Sequence, residues 1–240
     1  MSLSSKGIYF RSGLILLSLL LIGGLLFQIS KARSFQFFGK LINRVETSEK
    51  VVALTFDDGP TARTTEEVLK ILAEKNIKAT FYVIGQNAEQ YPKQLQKIVE
   101  QGNELGNHSY SHKRFLFKAQ SFIDEEIKKT DQLIRQAGYA GEITFRPPNG
   151  KKLFGLPWYL SKHEIKTIMW DIEPDTYYQG NTENIVRYTL DNIKPGSIIL
   201  LHPLCDNNCE ADRQALPKII DGLTAEGYRF VTISQLLTYN

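Results

Sequence analysis

The chain has 240 residues, enough for one domain with a sizeable core, and its 42% hydrophobic content is ordinary for a globular protein. The formal net charge of +3 arises in residues 1–44, which carry six basic residues and no acidic one. The remaining residues therefore carry a net charge of −3, which argues against a nucleic-acid-binding surface.

The first predicted element is an uncharged apolar stretch, residues 12–29, preceded by Lys6 and Arg11. As a helix, its roughly 18 residues would rise about 27 Å, close to the thickness of a bilayer's hydrocarbon core. Basic residues before such a stretch are typical of a signal anchor or a secretory signal. We predict an uncleaved transmembrane anchor. A cleaved signal and an apolar helix of a soluble core are the alternatives.

This prediction divides the chain into four segments. They are a cytoplasmic N-terminus (1–11), a transmembrane signal anchor (12–29), a juxtamembrane linker (30–48) and a globular domain (49–240). If the N-terminus stays inside the cell, the globular domain lies outside the cytoplasm, in the periplasm or at the cell surface.

Short apolar runs and amphipathic stretches alternate from residue 49 onward, which predicts seven strands separated by helices. The predicted strands are 51–56, 78–84, 104–108, 143–146, 166–171, 197–202 and 229–233. The predicted helices are 64–75, 87–101, 119–137, 153–163, 182–192 and 212–226. This alternation predicts a parallel α/β architecture, either a closed barrel or an open doubly wound sheet. No glycine-rich phosphate loop follows the first strand, which disfavours a nucleotide-binding protein.

Two adjacent carboxylates, Asp57 and Asp58, directly follow the first predicted strand. Desolvating both is costly unless a cation or strong hydrogen-bond donors compensate them. Suitable metal ligands follow in His108 and His112, and His202 ends a later strand. Because the carboxyl ends of parallel barrel strands lie on one rim, we expect these side chains to converge there.

Two imidazoles and one carboxylate form a ligand set suited to Zn²⁺, and a second carboxylate nearby could accept a proton from water. Arg146 has two interpretations, a surface ion-pair partner or a group that keeps an active-site carboxylate ionised. The stiff turn that follows Arg146 could present a backbone N–H, such as that of Asn149, to a developing oxyanion.

Cys205 and Cys209 are the two cysteines of the chain. In an exported domain this spacing favours a small local disulfide. Two free thiols and half of a metal site are the alternatives, the latter weakened because a structural zinc usually needs four ligands.

Five stretches in this order and spacing resemble the motifs of the NodB-type polysaccharide deacetylases, carbohydrate esterase family 4. They are 55–60, 108–112, 146–150, 170–175 and 200–202, and the resemblance extends over about residues 49–237. It implies a distorted (β/α) barrel that removes N- or O-acetyl groups from polysaccharides with a divalent metal, often Zn²⁺.

The resemblance also implies a role for each matching residue. Asp58, His108 and His112 would bind the metal. Asp57 would be the general base, tuned by Arg146, and His202 the general acid. The backbone N–H of Asn149 would help to stabilise the oxyanion.

Two positions depart from the family pattern. Asn149 stands where the family commonly has Tyr, and Thr176 stands where an aspartate usually orients the acid histidine. Asp175 and Asp171 are the candidates for that orienting role.

We therefore expect a membrane-anchored, monomeric deacetylase of an acetylated polysaccharide, such as peptidoglycan, a chitin-like polymer or an exopolysaccharide. The alternatives are a hydrolase of non-sugar amides with the same fold and a catalytically silent glycan-binding protein.

Overall fold

The computed structural model describes residues 5–205 and 209–239. The chain begins with helix α1, Ser5–Ser30, and its stretch Gly13–Ser30 is long and apolar enough to cross a membrane. Only 6% of that stretch is buried against the rest of the chain, which excludes the apolar core helix of a soluble domain. Transmembrane anchors and secretory signals both have this length and composition.

Strands and helices alternate after α1. The strands are β1 (Leu41–Ile42), β2 (Val51–Asp57), β3 (Thr80–Val83), β4 (Glu104–Asn107), β5 (Thr167–Ile168), β6 (Ile198–Leu201) and β7 (Arg229–Val231). The helices are α2 (Thr64–Glu74), α3 (Gly85–Gln90), α4 (Pro92–Glu100), α5 (Gln120–Gln136), α6 (Gly155–Lys162), α7 (Thr182–Asn192), α8 (Glu210–Ala225) and α9 (Ile233–Leu236). Short 3₁₀ turns occupy Pro148–Gly150 and Leu237–Tyr239.

Strand β2 is the centre of a five-stranded sheet. It pairs with β3 and β6, and its first residues pair with β7, while β4 extends the sheet beyond β3. Strands β1 and β5 form a separate two-stranded sheet. Every one of these pairings is parallel, which confirms the predicted parallel α/β architecture.

The distorted (β/α) barrel of about seven strands that the resemblance implies is not confirmed. The predicted strand 143–146 is reduced to isolated bridges at Phe145, which contacts β4 on one side and β5 on the other. The predicted strand 166–171 is reduced to the two residues of β5. Pro147 and Pro148 lack the N–H groups that a ladder needs, so regular pairing cannot continue past Arg146.

Strand β2 is buried on both faces, and its alternating side chains enter two different clusters. Val52, Leu54 and Phe56 belong to the cluster that packs against the helices. Val51 and Ala53 belong to a smaller cluster on the opposite face of the sheet. Side chains alternate along a strand with a period of two, so Asp57 at the end of β2 points to the same side as this second cluster.

The segment 30–48, for which we expected a juxtamembrane linker, packs against the domain. Strand β1 pairs with β5, and the N–H of the buried Val45 donates to the carbonyl of Gly196 over 3.0 Å. The ring of Phe37 stacks on that of Phe154 at 4.5 Å between centroids. This segment is therefore part of the folded unit that contains the candidate site.

Candidate active site

The carboxyl ends of the central strands open into one cleft of about 750 Å³. Asp57 ends β2, His108 follows β4, and His202 follows β6. These three residues line the cleft together with Asp58 and His112. The parallel topology thus brings together side chains that lie up to 145 positions apart in the sequence.

Asp58, His108 and His112 form a compact set of candidate metal ligands. Asp58 Oδ1 lies 3.6 Å from His108 Nε2 and 3.4 Å from His112 Nε2. The ligand atoms of all three residues lie within 4.8 Å of one another. Asp58 Oδ1 is buried and has no hydrogen-bond partner among the described residues. An orphaned carboxylate oxygen facing two imidazole nitrogens fits a divalent cation.

The backbone around His108 fixes its tautomer. His108 Nδ1 lies 2.8 Å from the carbonyl oxygen of Arg146. A carbonyl can only accept, so Nδ1 carries the proton and the Nε2 lone pair remains free for a metal. This partner is the kind that metal-binding histidines generally have.

His112 reaches the site through a tight turn rather than a helix. Ser109 and His112 both have left-handed backbone angles, with φ of 65° and 54°. The turn is held by two hydrogen bonds, from the N–H of Ser109 to Asn107 Oδ1 and from the N–H of His112 to Ser109 Oγ. As a result, the His112 ring faces His108 with 4.9 Å between centroids.

Asp57 and Asp58 are neighbours in sequence, but their side chains have different surroundings. Asp57 is only 2% exposed and continues the alternation of β2. Asp58 has a φ of 74°, outside the range of a strand, so its side chain leaves that alternation. This change in backbone angle lets Asp57 bind Arg146 through Oδ1 while its Oδ2 lies 3.5 Å from His108 Nε2, and it lets Asp58 face both histidines.

Arg146 is fully buried, and its charge is matched by Asp57. Its Nη1 donates to Asp57 Oδ1 over 2.7 Å and to Thr55 Oγ1 over 2.9 Å. Burial alone would raise the pKa of Asp57. The charge of Arg146 and then those of neighbouring histidines outweigh burial and hold that pKa below its usual range. Asp57 therefore stays ionised in a nearly dry position.

His202 lines the same cleft and is oriented by Asp175. Asp175 Oδ2 lies 2.9 Å from His202 Nδ1 and accepts the N–H of the same residue over 2.6 Å. Burial lowers the pKa of His202. The hydrogen bond and charge of Asp175, with the charges of Asp57 and Asp58, outweigh burial and raise that pKa to about 10. The imidazole is therefore protonated at neutral pH.

Asp171, the other candidate for orienting His202, has a different set of contacts. It accepts Ser197 Oγ over 2.7 Å and the N–H of Ile198 over 2.8 Å. These bonds attach the chain after β5 to the start of β6. Thr176, at the position where the family usually has aspartate, donates through Oγ1 to Glu173 over 2.9 Å.

Asn149 lines the cleft within the 3₁₀ turn Pro148–Gly150 and has a φ of 55°. Asparagine is among the few non-glycine residues that adopt this angle readily, so it suits this position, where the family commonly has tyrosine.

Cys205 and Cys209 are joined by a disulfide, with their Cα atoms 5.8 Å apart.

Sequence reasoning missed Arg33 and its contacts with Glu173 and Trp170 on one wall of the cleft. Glu173 accepts Trp170 Nε1 over 2.9 Å and forms an ion pair with Arg33. The Arg33 guanidinium lies 5.0 Å from the centroid of the Trp170 ring. Arg33 and Glu173 are 140 positions apart, and no local pattern links them. The acid-free N-terminal segment was the one available signal, since its cations need partners elsewhere.

The model of the polysaccharide deacetylase family matches residues 44–168. The chain belongs to this family. The match confirms the resemblance to carbohydrate esterase family 4, whose deacetylases are metalloenzymes. The cluster of Asp58, His108 and His112 is the corresponding candidate metal site in this chain.

Two curated relatives within the family are named as peptidoglycan deacetylases. A peptidoglycan-N-acetylglucosamine deacetylase of Bacillus cereus is 34% identical over 186 residues, covering 77% of this chain and 67% of that protein. The peptidoglycan-N-acetylmuramic acid deacetylase PdaC of Bacillus subtilis is 34% identical over 194 residues. That match covers 80% of this chain and 40% of PdaC.

Solved structures of family members share the fold. The Bc1960 peptidoglycan N-acetylglucosamine deacetylase is 31% identical with a TM-score of 0.78, and the match covers 82% of this chain and 92% of that one. A family pseudoenzyme from Bacillus anthracis is 26% identical with a TM-score of 0.74, covering 82% and 68%. Both active and inactive members therefore have this architecture.

Proposed function

We propose that this protein is a metal-dependent hydrolase that removes N-acetyl groups from an envelope or extracellular polysaccharide. One arrangement carries the proposal. The orphaned Asp58 Oδ1 faces two imidazole nitrogens, and an ionised carboxylate and a protonated imidazole flank this set. Amide hydrolysis needs such an acid and such a base on opposite sides of the reacting carbonyl.

Asp58, His108 and His112 would hold a divalent cation, and two imidazoles with one carboxylate favour Zn²⁺. When bound, the cation supplies a Lewis acid that polarises the acetyl carbonyl and acidifies water. His108 needs no change of tautomer for this role, because its Nδ1 already donates to the Arg146 carbonyl.

Asp57 and His202 divide the proton transfers between them. Asp57 accepts a proton from the water whose oxygen bonds to the acetyl carbon. His202 donates a proton to the sugar nitrogen as the C–N bond breaks, and the products are acetate and a free amine. Arg146 keeps Asp57 ionised before the reaction, and Asp175 keeps His202 protonated and oriented. The N–H of Asn149 would stabilise the oxyanion.

Helix α1 supports a membrane-anchored enzyme whose domain lies outside the cytoplasm, because Lys6 and Arg11 precede the apolar stretch. The parallel bridges at Phe145 and the one between Ile172 and Ile199 support a distorted barrel that closes through single contacts. The peptidoglycan activities of the curated relatives make that polymer our first choice of substrate.

The test is acetate release by the full chain purified in detergent micelles, with peptidoglycan, chitin oligomers, acetylxylan and small acetamides as substrates. Metal content is measured on the same preparation. We expect metal-dependent release from a glycan, loss of release in Asp57→Asn, and retention in the matched surface control Asp191→Asn. Release from small amides alone would replace the glycan with a non-sugar substrate.

The second candidate, a catalytically silent glycan-binding protein, is favoured by the likeness to the Bacillus anthracis pseudoenzyme and by Thr176. The hydrogen bonds of Asp175 to His202 weigh against it. Glycan binding without acetate release by a metal-loaded preparation would establish this second function and refute the first.

A further inference from the structure

The end of helix α1 forms part of the wall of the active-site cleft. Gln28 and Lys31 line the same cleft as Asp58 and His108. Gln28 lies inside the apolar stretch Gly13–Ser30. If that stretch occupies a membrane, the mouth of the cleft opens at the level of the last helical turn in the bilayer.

The position of this wall is fixed by Lys152, which is 1% exposed. Its N–H donates to the carbonyl of Ser30 over 2.8 Å, and its Nζ donates to the carbonyl of Ala32. The ion pair between Arg33 and Glu173 adds a third attachment to the same short stretch. The membrane helix and the catalytic residues are therefore held together without a free linker between them.

Three cations gather beside this wall. Lys31 Nζ and Lys151 Nζ lie 5.2 Å and 4.6 Å from the centroid of the Phe27 ring. Arg114 lies across the cleft rim, with Nε and Nη2 each 3.4 Å from Asn149 Oδ1. Burial, and then the charges of Arg114 and Lys31, lower the pKa of Lys151. Among the described side chains, no carboxylate lies within ion-pair distance of these three cations.

We propose that Lys31, Arg114 and Lys151 form a phosphate subsite at the mouth of the cleft. The substrate it selects is an N-acetylated amino-sugar glycan linked through phosphate to a membrane lipid. Clustered cations without carboxylate partners favour an anion. At the membrane surface, a phosphate that joins a lipid to its glycan places the sugar beside the metal ligands. This inference rests on the proposed deacetylase function and on insertion of α1.

The test uses the full chain reconstituted in neutral phosphatidylcholine vesicles. Three substrates carry the same N-acetylated oligosaccharide: one linked to a lipid through a phosphodiester, one linked to that lipid through a neutral ether, and one free in solution. We expect kcat/KM for acetate release to be about tenfold higher for the phosphate-linked substrate than for the ether-linked one, since a charge-assisted contact is worth roughly that factor.

Two variants assign the preference to the subsite. Lys31→Gln combined with Lys151→Gln should bring the ratio of the two lipid substrates close to one. The matched variant is Lys162→Gln. In the wild-type protein the Lys162 ammonium lies 4.7 Å from the centroid of the Trp158 ring, so this variant should keep the wild-type ratio. The ratio in the wild-type protein tests the proposal by itself if the double variant does not fold.

Three outcomes would overturn the inference. One is an equal rate on both lipid substrates with acetate still released from the free glycan, which leaves the deacetylase function intact. Another is an increase in kcat/KM for the ether-linked substrate when phosphatidylglycerol is added to the vesicles. If the double variant lacks that increase, the cations bind bulk lipid headgroups rather than the substrate phosphate. The third is no acetate from any glycan by the metal-loaded protein, which would remove the proposed function as well.

Discussion

At the scale of single residues, the adjacent carboxylates Asp57 and Asp58 have different surroundings and different proposed roles. Asp57 is enclosed and paired with the fully buried Arg146. Asp58 has one oxygen without a hydrogen-bond partner among the described residues. The same substitution at the two positions should therefore have different consequences.

Asp57→Asn should retain the metal and lower kcat for acetate release by roughly 10²–10⁴-fold, the range for loss of a general base. Asp58→Asn should lose metal as well as activity, because the amide oxygen is a weaker ligand than the carboxylate. Elemental analysis beside steady-state kinetics measures both effects. Equal metal loss in the two variants would contradict the division of roles, and Asp191→Asn is the surface control.

Asp175 raises the pKa of His202, and this leads to a prediction about how kcat depends on pH. The pKa of His202 is raised to about 10, so the proton that it would donate in the proposed reaction is present up to that pH. In Asp175→Asn the pKa falls, because the amide carries no charge. The alkaline limb of the kcat profile should therefore move to lower pH.

The matched control is Thr176→Val, which removes the hydrogen bond from Thr176 Oγ1 to Glu173 beside the same loop and leaves the Asp175 carboxylate in place. Its pH profile should follow that of the wild-type protein. An unchanged alkaline limb in Asp175→Asn would show that another group protonates the departing nitrogen.

At the scale of elements, the attachment of α1 to the domain depends on a buried lysine. Burial lowers the pKa of Lys152 from 10.5 to about 8. The unfolded chain therefore binds more protons than the folded chain between these pH values, and stability should rise with pH across this window. Below about pH 8 the lysine is charged in both states and this contribution no longer changes.

Lys152→Met should remove the rise in thermal unfolding midpoint between about pH 8 and pH 10, relative to the wild-type protein. Circular dichroism of the full chain in detergent measures it. The exposed Lys78→Met serves as the control for the general loss of a positive charge. Parallel pH curves for wild type and Lys152→Met would contradict the prediction.

At the scale of the whole molecule, the fold and the metal site are separable. The core clusters and the parallel ladders contain none of the three candidate ligands. Chelation should therefore abolish acetate release and leave the far-ultraviolet circular dichroism unchanged. Restoring Zn²⁺ at a hundred times its dissociation constant should stabilise the domain by about 2.7 kcal/mol. Unfolding upon chelation would show instead that the metal is structural.

Much of this arrangement was predictable from the sequence because it depends on local pattern. Alternating apolar runs predicted the parallel α/β fold, and carboxylates and histidines at strand ends predicted which side chains meet. Two breaks in the pattern come from proline. Pro147 and Pro148 end the pairing of Phe145, and Pro92 divides the single predicted helix 87–101 into α3 and α4.

The remainder depends on contacts that no local pattern contains. Arg33 meets Glu173 and Trp170 because loops far apart in sequence fold onto each other. No local pattern around Lys152 indicates burial, and its burial follows only from the path of residues 30–33. Such contacts depend on the full three-dimensional arrangement of the loops.

The attachment of Ser30 and Ala32 to Lys152 has a kinetic consequence. If α1 is inserted in a membrane, the absence of a free linker keeps the domain at the membrane surface, and the domain cannot reach glycan far from the bilayer. Its encounters with glycan occur by lateral diffusion in two dimensions, within a thin layer next to the bilayer. Its turnover in a cell would then depend on the number of acetylated sugars per unit area of membrane, and polymer farther away would remain acetylated at any enzyme concentration.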